Sequence, residues 1–389
     1  MGTDCETMSI KNKKLAIIGA SYLQLPLVMK AKELGVKTVC FAWEDGAVCR
    51  DYADQYYPIS IVNKEKILSV CREEKIDGIT TIATDVAVPT INYIAHELGL
   101  TGNSIESGFI ATNKYAMREA LKKGGVRCPF YQKITSVSDA FDAIKHTLFP
   151  VIIKPCDRSG SMGVTKIDKP EDLADAVKTA LDCSFCKEAI MEKFIDIAQE
   201  ISVEGISWKG KHHVLAITDK VTTGAPHYVE LGQHQPSQLS QSILDEAVRQ
   251  VKLGVKALGI ENGASHPELM VSKDGEVYVT EIGSRMGGDF IGSDLVYLST
   301  GYDFLKGVIE IALGEFSGVS FGEKHYAGVW FYAPDTLQIK DIIQHRPQYP
   351  WIVRSELHED ELKPLTRSAD RAGYFIYKSN KKISLENII

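Results

Sequence analysis

Pro150-Val151-Ile152-Ile153-Lys154-Pro155 is followed, one residue on, by Asp157-Arg158-Ser159-Gly160-Ser161-Met162-Gly163. The first run is short and apolar and ends by presenting a lysine, the pattern of a buried strand. The second is a polar glycine loop, in which Gly160 and Gly163 free the backbone N–H groups to approach a bound anion closely. Val164 to Ile167 then resumes a strand. A lysine at a strand end, four residues before such a loop, suits a phosphate. The chain has no GxxxxGK[ST] sequence, so it is not a P-loop protein.

Upstream, residues 14 to about 100 alternate apolar strands with amphipathic helices. Leu15 to Ile18 reads as a strand, with a helix to Leu34 ended by Gly35, and Val36 to Phe41 as a second strand. Lys64 to Lys75 reads as a helix, Gly78 to Ile82 as a strand and Val86 to Leu98 as a helix. This alternation predicts an α/β unit with a parallel sheet covered on both faces. Its first turn, Gly19-Ala20-Ser21-Tyr22-Leu23-Gln24, meets only the first glycine of the dinucleotide fingerprint. A pyrophosphate could not approach there, which argues against NAD. Lys114 to Lys123 reads as a basic helix ended by Gly124-Gly125.

Downstream, Pro170 to Leu181 reads as a helix, and Ala189 to Ile195, Glu200 to Ser207 and His213 to Thr218 as strands. Gly224 to Ser237 reads as a long polar loop, Ser240 to Leu258 as a helix, and Ala264 to Met270 with Glu276 to Ile282 as a hairpin. Tyr302 to Leu313 reads as a helix, and the tail from Ser317 as short strands and turns. In order, these elements carry a helix lysine (Lys114), a strand lysine (Lys154), the glycine loop, the strand end Glu192-Lys193-Phe194-Ile195, one glutamate on each hairpin strand (Glu268 and Glu281), and Arg285. Two cations and loop N–H groups can meet the phosphates of a nucleoside triphosphate. The Met191 to Phe194 strand end can offer a backbone donor and acceptor to an adenine edge. Carboxylates on adjacent strands can hold magnesium, which takes its remaining ligands from phosphates and water.

The composition fits this local solution. The 389 residues hold 44 Lys and Arg against 51 Asp and Glu, a net charge of −7, with 24% charged and 44% hydrophobic residues. A mildly acidic chain of mixed charge has no broad face for a nucleic acid. No apolar run approaches the roughly 18 residues needed to span a membrane. Met1 to Lys14 lacks the apolar core of a signal peptide, and Glu6 argues against myristoylation. The eight cysteines are scattered, and the one CxxC, Cys183 to Cys186, reads as structural. A cytoplasmic location is expected.

Thr112-Asn-Lys-Tyr-Ala-Met-Arg118, Phe149-Pro-Val-Ile-Ile-Lys154-Pro155, Arg158-Ser-Gly-Ser-Met-Gly163, Met191-Glu-Lys-Phe-Ile195, His266-Pro-Glu268 and Thr280-Glu281-Ile-Gly-Ser-Arg285-Met-Gly-Gly-Asp289 together resemble the ATP-grasp superfamily. The resemblance implies a Rossmann-like first domain over 1–111, an α+β ATP-grasp core over 112–317 with a mobile lid over about 126–195, and a small C-terminal domain over 318–389. It implies ATP and magnesium. Lys114, Lys154, Ser159, Gly160, Ser161, Gly163, Glu192, Lys193, Phe194, Ile195 and Glu200 would contact the nucleotide, and Glu268 and Glu281 the metal. Arg285 and Lys154 would act on the reacting groups, with Gly287 and Gly288 beside the substrate. A base in the 224–237 loop, namely His227, Glu230 or His234, would take the amine's proton.

Many members continue the second metal motif as Glu-x-Asn, where this chain has Gly283. A glycine followed by Arg and a Gly pair resembles the carboxylate–amine ligases that join amino acids, and the core also resembles the ATP-binding domain of biotin carboxylase and carbamoyl-phosphate synthase. The expected activity is therefore ATP-dependent activation of a small-molecule carboxylate as an acyl phosphate and its ligation to an amine, with a homodimer the expected assembly. A purine- or pyrimidine-pathway ligase, such as phosphoribosylglycinamide synthetase or a carbamoyl-phosphate synthase relative, is the alternative enzyme. An ATP-binding regulatory protein with a degenerate site is the alternative from another class.

Overall fold

The computed structural model describes residues 9–158, 162–224, 227–358 and 362–387. The N-terminal alternation folds as read. β1 (Lys14–Ile18), β2 (Lys37–Phe41), β3 (Gln55–Tyr57) and β4 (Gly78–Thr80) form a parallel sheet in the order β3-β2-β1-β4. The apolar run of β1 is buried along nearly its whole length, as expected for a strand covered on both faces. The helices Leu25–Glu33 and Lys64–Glu74 make the β1–β2 and β3–β4 crossovers, and the helix Val88–Leu98 follows β4.

A second, antiparallel sheet lies over residues 131–193: β5 (Tyr131–Ile134), β6 (Val151–Pro155), β7 (Thr165–Ile167) and β8 (Ala189–Lys193), in the order β5-β8-β6-β7. The helices Val137–Ala143 and Leu173–Cys183 close its core. The third sheet has eight antiparallel strands, ordered β13-β12-β9-β10-β11-β14-β16-β15. These are β9 (Ile197–Trp208), β10 (Lys211–Thr222), β11 (Glu230–Gln235), β12 (Gly263–Ser272), β13 (Val277–Gly283), β14 (Tyr326–Tyr332), β15 (Ile352–Leu357) and β16 (Gly373–Ser379). The strands of the tail thus extend the same sheet as the central hairpin.

The structure corrects one reading. The polar stretch 224–237 contains β11, a strand paired on both sides, with β10 and with β14. Gln235 is bonded at both ends of its amide inside the fold: its Nε2 donates to Thr218 Oγ1 at 2.9 Å, and Ser299 Oγ donates to its Oε1 at 2.8 Å. Buried polar groups need such partners, and partners so distant in sequence leave no local pattern.

Candidate active site

A cavity of about 330 Å3 opens where the three sheets meet, a size suited to a small-molecule ligand. Lys114 reaches it from the first turn of helix Lys114–Lys123. Asn113 caps that helix by accepting from the Ala116 N–H at 2.9 Å, and the Lys114 N–H donates to the Cys156 carbonyl at 2.7 Å. The helix lysine is thereby tied to the end of β6, which carries Lys154. The Lys114 ammonium lies 2.9 Å from Glu281 Oε2.

Lys154 Nζ lies 2.6 Å from Glu192 Oε2, and Arg118 Nε lies 2.6 Å from Glu192 Oε1. Burial alone would raise the Glu192 carboxyl. The guanidinium and the ammonium overcome it and hold the group down at about 2. Lys154 moves the other way for a Lys in an ion pair: desolvation and the repulsion of Arg118 and Lys114 outweigh Glu192 and lower its pKa. Both shifts share a contribution from the three clustered cations Lys114, Arg118 and Lys154, to which burial adds in the case of Lys154. Such a cluster of cations is suited to an anionic ligand.

Glu268 and Glu281 stand opposite one another on β12 and β13. The register slips just beyond them, where Thr280 forms a bulge; its hydroxyl donates to the Glu268 carbonyl at 3.0 Å and its carbonyl accepts from Arg118 Nη2 at 2.6 Å. Bulges re-aim neighbouring side chains, and both glutamates line the cavity. Paired carboxylates are a donor set for a hard, oxygen-seeking cation that completes its shell from phosphates, and they fit magnesium on that ground. Among the described residues no group of three or more His, Cys, Asp or Glu side chains is placed to hold a metal by itself.

Arg285 Nη2 is held 2.7 Å from Asp85 Oδ2, a residue of the N-terminal domain. The two meet because the chain after β4 docks on the 283–290 segment: Ile82 bridges Met286, and the Ala83 N–H donates to the Met286 carbonyl. A Cβ at Gly283 would sit 2.8 Å from Asp85 Oδ1, so glycine keeps room for this contact. A Cβ at Gly287 would sit 2.7 Å from His266 Nδ1. His266 itself bonds to Glu204 Oε1 at 2.8 Å and faces Glu268 Oε1 at 3.4 Å. Burial would lower its pKa, but Glu204 more than compensates and lifts it to about 9.

Of the residues expected at the site, Lys114, Lys154, Glu192, Lys193, Phe194, Ile195, Glu200, Glu230, Glu268, Glu281 and Arg285 line the one cavity. Ser159, Gly160 and Ser161 lie outside the described residues. Arg158, just before them, donates to the Cys183 carbonyl at 2.6 Å and stacks 3.6 Å from the Phe185 ring. Asp157 accepts the Phe185 and Cys186 N–H groups, so the CxxC turn anchors one end of the glycine loop. Gly163 packs on Pro155 and Cys183, where a Cβ would approach to 2.9 Å and 3.0 Å, and does not line the cavity. Cys183 and Cys186 are free thiols.

Several of the expected residues meet different surroundings. The Glu192 carboxylate is taken up by Arg118 and Lys154. Two of the strand-end donors are used within the protein, Lys193 N–H by the Phe130 carbonyl and Phe194 N–H by the Pro150 carbonyl. His234 is fully buried on β11, 4.6 Å from the Trp330 ring centroid and 3.1 Å from the Tyr377 hydroxyl. Burial drives its pKa down to about 3, so it is a neutral core histidine. His227 is exposed and, with Gly287 and Gly288, is not among the residues lining the cavity.

The sequence reading overlooked Lys220. Its ammonium sits 2.5 Å from Glu268 Oε1, 3.1 Å from Glu200 Oε1 and 3.9 Å from Glu230 Oε1. Asp85, Arg118 and the Arg371–Asp289 pair, bonded through both guanidinium nitrogens at 2.9 Å and 2.8 Å, were also unassigned.

Residues 147–294 match the family model described as the ATP-grasp domain. The large chain of carbamoyl phosphate synthase from Thermotoga petrophila is 26% identical over 303 residues, which cover 73% of this chain and 27% of that protein. Alanine–anticapsin ligase from Bacillus subtilis is 27% identical over 250 residues, covering 58% of this chain and 51% of that protein. The chain thus spans about half or less of these curated relatives. The crystal structure of L-amino acid ligase from Bacillus licheniformis matches with a TM-score of 0.79 over 97% of this chain and 96% of that one, at 24% identity. The fold is the ATP-grasp fold, an α/β architecture. No helix among the described residues is long and apolar enough to cross a membrane.

Proposed function

We propose that the chain is an ATP-dependent carboxylate–amine ligase acting on small molecules, with amino acids or a peptide as substrates. The observation that carries this reading is the composition of one cavity: Lys114 and Lys154, the latter backed by the buried Arg118–Glu192 pair, face a pair of register-matched carboxylates, with Arg285 beside them. The names of two relatives, alanine–anticapsin ligase and L-amino acid ligase, support an amide-forming reaction between amino acids.

A carboxylate does not react with an amine at neutral pH because oxide is a poor leaving group. Transfer of the γ-phosphoryl group of ATP to the carboxylate oxygen gives an acyl phosphate, and attack by the neutral amine then expels phosphate. Phosphoryl transfer asks the protein mainly for positioning and charge neutralisation. Lys114 and Lys154 would grip the phosphates, each exchanging a carboxylate partner for a phosphate oxygen. Arg285, steadied by Asp85, would hold the reacting carboxylate through its fork of N–H donors. Glu268 and Glu281 would hold magnesium, which neutralises phosphate charge when bound. Glu230 is the member of the 224–237 segment suited to receive the proton of the incoming amine.

The test is release of ADP and phosphate from ATP and magnesium with a panel of amino-acid pairs, together with detection of the coupled product. Product from at least one pair, lost in Glu281→Gln, supports the ligase. Turnover only with phosphoribosylamine and glycine would move the chain to purine synthesis. ATP binding without turnover on any carboxylate would favour a regulatory protein.

A further inference from the structure

Four neighbouring strands of the large sheet, β12-β9-β10-β11, bring charges to one point. Lys220 on β10 stands directly across from Glu200 on β9. Glu268 comes from β12, and Glu230 is the first residue of β11. The Lys220 side chain is 2% exposed and reaches all three carboxylates. An ammonium buried this deeply persists only when paired, and here it is paired with one of the two glutamates suited to hold magnesium.

We propose that the Lys220 ammonium fills the position that a second divalent cation would take beside Glu268, so that the site carries one divalent ion per bound nucleotide. The proposal rests on the nucleotide-site reading above. Three observations converge on it. The oxygens of Glu268 and Glu200 that face one another are occupied by a single Nζ at 2.5 Å and 3.1 Å, so a metal bridging them, at about 2.1 Å from each oxygen, would overlap that nitrogen. Glu268 Oε1 meets both Lys220 and His266, while among the described residues no ion-pair partner reaches its other oxygen, which stays open for the first metal. Finally, Gly283 has no side chain to supply a further ligand, and the space beside it is taken by Asp85 and Arg285, which a Cβ there would approach to 2.8 Å and 3.2 Å. The fixed cation also ties Glu230, from the segment proposed to meet the amine, to the metal-holding hairpin.

The experiment counts metal ions without using turnover. The full chain, saturated with ADP, is titrated with Mn2+, and free Mn2+ is read by electron paramagnetic resonance. The expected result is one Mn2+ per chain for the unaltered protein and for Lys220→Arg, which keeps the cation. Two are expected for Lys220→Met, whose three carboxylates have lost their counter-ion. Two Mn2+ per ADP-bound chain in the unaltered protein would overturn the proposal, as would a folded Lys220→Met that still takes one. If Lys220→Met does not fold, the counts for the unaltered protein and Lys220→Arg decide alone. A chain that binds no ADP would overturn the nucleotide reading itself, and this proposal with it.

Discussion

Glu192→Gln tests the charge logic of the cavity. The wild-type carboxylate is 4% exposed and meets Arg118 and Lys154 at 2.6 Å on its two oxygens. Its carboxyl is held at about 2 against an ordinary 4.5, a gap equivalent to roughly 3 kcal/mol of preference for the ionised form. An independent expectation agrees: removing one member of a buried ion pair costs about 3–5 kcal/mol, because the other charge is left buried and unmatched. The loss should appear where the three residues meet. Hydrogen exchange of peptides spanning β6 and β8, read by mass spectrometry, reports local opening there, and about 3 kcal/mol corresponds to roughly a 100-fold loss of protection. The pH dependence is fixed by sign. The folded pKa lies below the unfolded value, so the stabilisation is complete above about pH 4.5 and is lost as pH falls toward 2. The gap between wild type and variant, corrected for intrinsic exchange, should therefore be the same at pH 6 and pH 8. Protection within threefold of wild type would refute the reasoning, and so would a gap that widens between those two pH values.

Two further outcomes follow from residues on either side of the cavity. Asp85→Asn should lower turnover about 100-fold, since a misplacement near 1 Å at a reacting group has that effect, while ADP affinity measured by calorimetry stays within a few fold; a parallel fall in affinity would mean that Asp85 acts on the nucleotide instead. His234→Gln should flatten the acid limb of the stability curve. A histidine with a folded pKa near 3 binds its proton mainly in the unfolded state, so its contribution is lost as pH falls below about 6.5. Urea titrations at pH 6.5 and 5 should show wild type losing about 2 kcal/mol more than the variant over that interval, and equal losses would remove His234 from the account.

The parts of the site legible in sequence were those written in a short span with its own physics. Lys154 ends an apolar strand and is followed by a glycine loop. Lys114 opens a helix behind an Asn cap, and Glu268 and Glu281 lie on the two strands of one hairpin. Each of these needs only local periodicity and turn chemistry. β11 escapes the local pattern because Glu230-Leu-Gly-Gln-His-Gln235 has the polarity of a loop, and the side chains of His234 and Gln235 bond partners 17 to 143 residues away. Lys220 went unassigned for the same reason: a lysine is unremarkable until three strands place a glutamate against it. Glu192 was recognised, but the partner it serves could not be. A carboxylate that contacts a nucleotide and one that neutralises Arg118 look alike in sequence, and only the convergence of β6, β8 and helix Lys114–Lys123 separates them.

That convergence also sorts the cations by what they can do. Lys114, Lys154 and Arg285 each lie in an ion pair, yet each keeps 13% or 14% of its side chain exposed and lines the cavity. Arg118 and Lys220 are 1% and 2% exposed and lie behind it. A bare buried charge is too costly to keep in wait for a ligand, so a site for a polyanion holds its cations on exchangeable carboxylates. The three exposed cations meet that requirement: a phosphate or carboxylate arriving from the cavity can replace Glu281, Glu192 or Asp85 without first stripping water from an unpaired charge. The two buried cations have no ligand to exchange with. Their part is to fix the carboxylates, Arg118 by holding Glu192 against Lys154 and Lys220 by holding Glu268 against Glu200 and Glu230. A chain of net charge −7 can in this way build a cationic pocket from a few residues, because the exchange is local and the surrounding acidity lies on groups already paired.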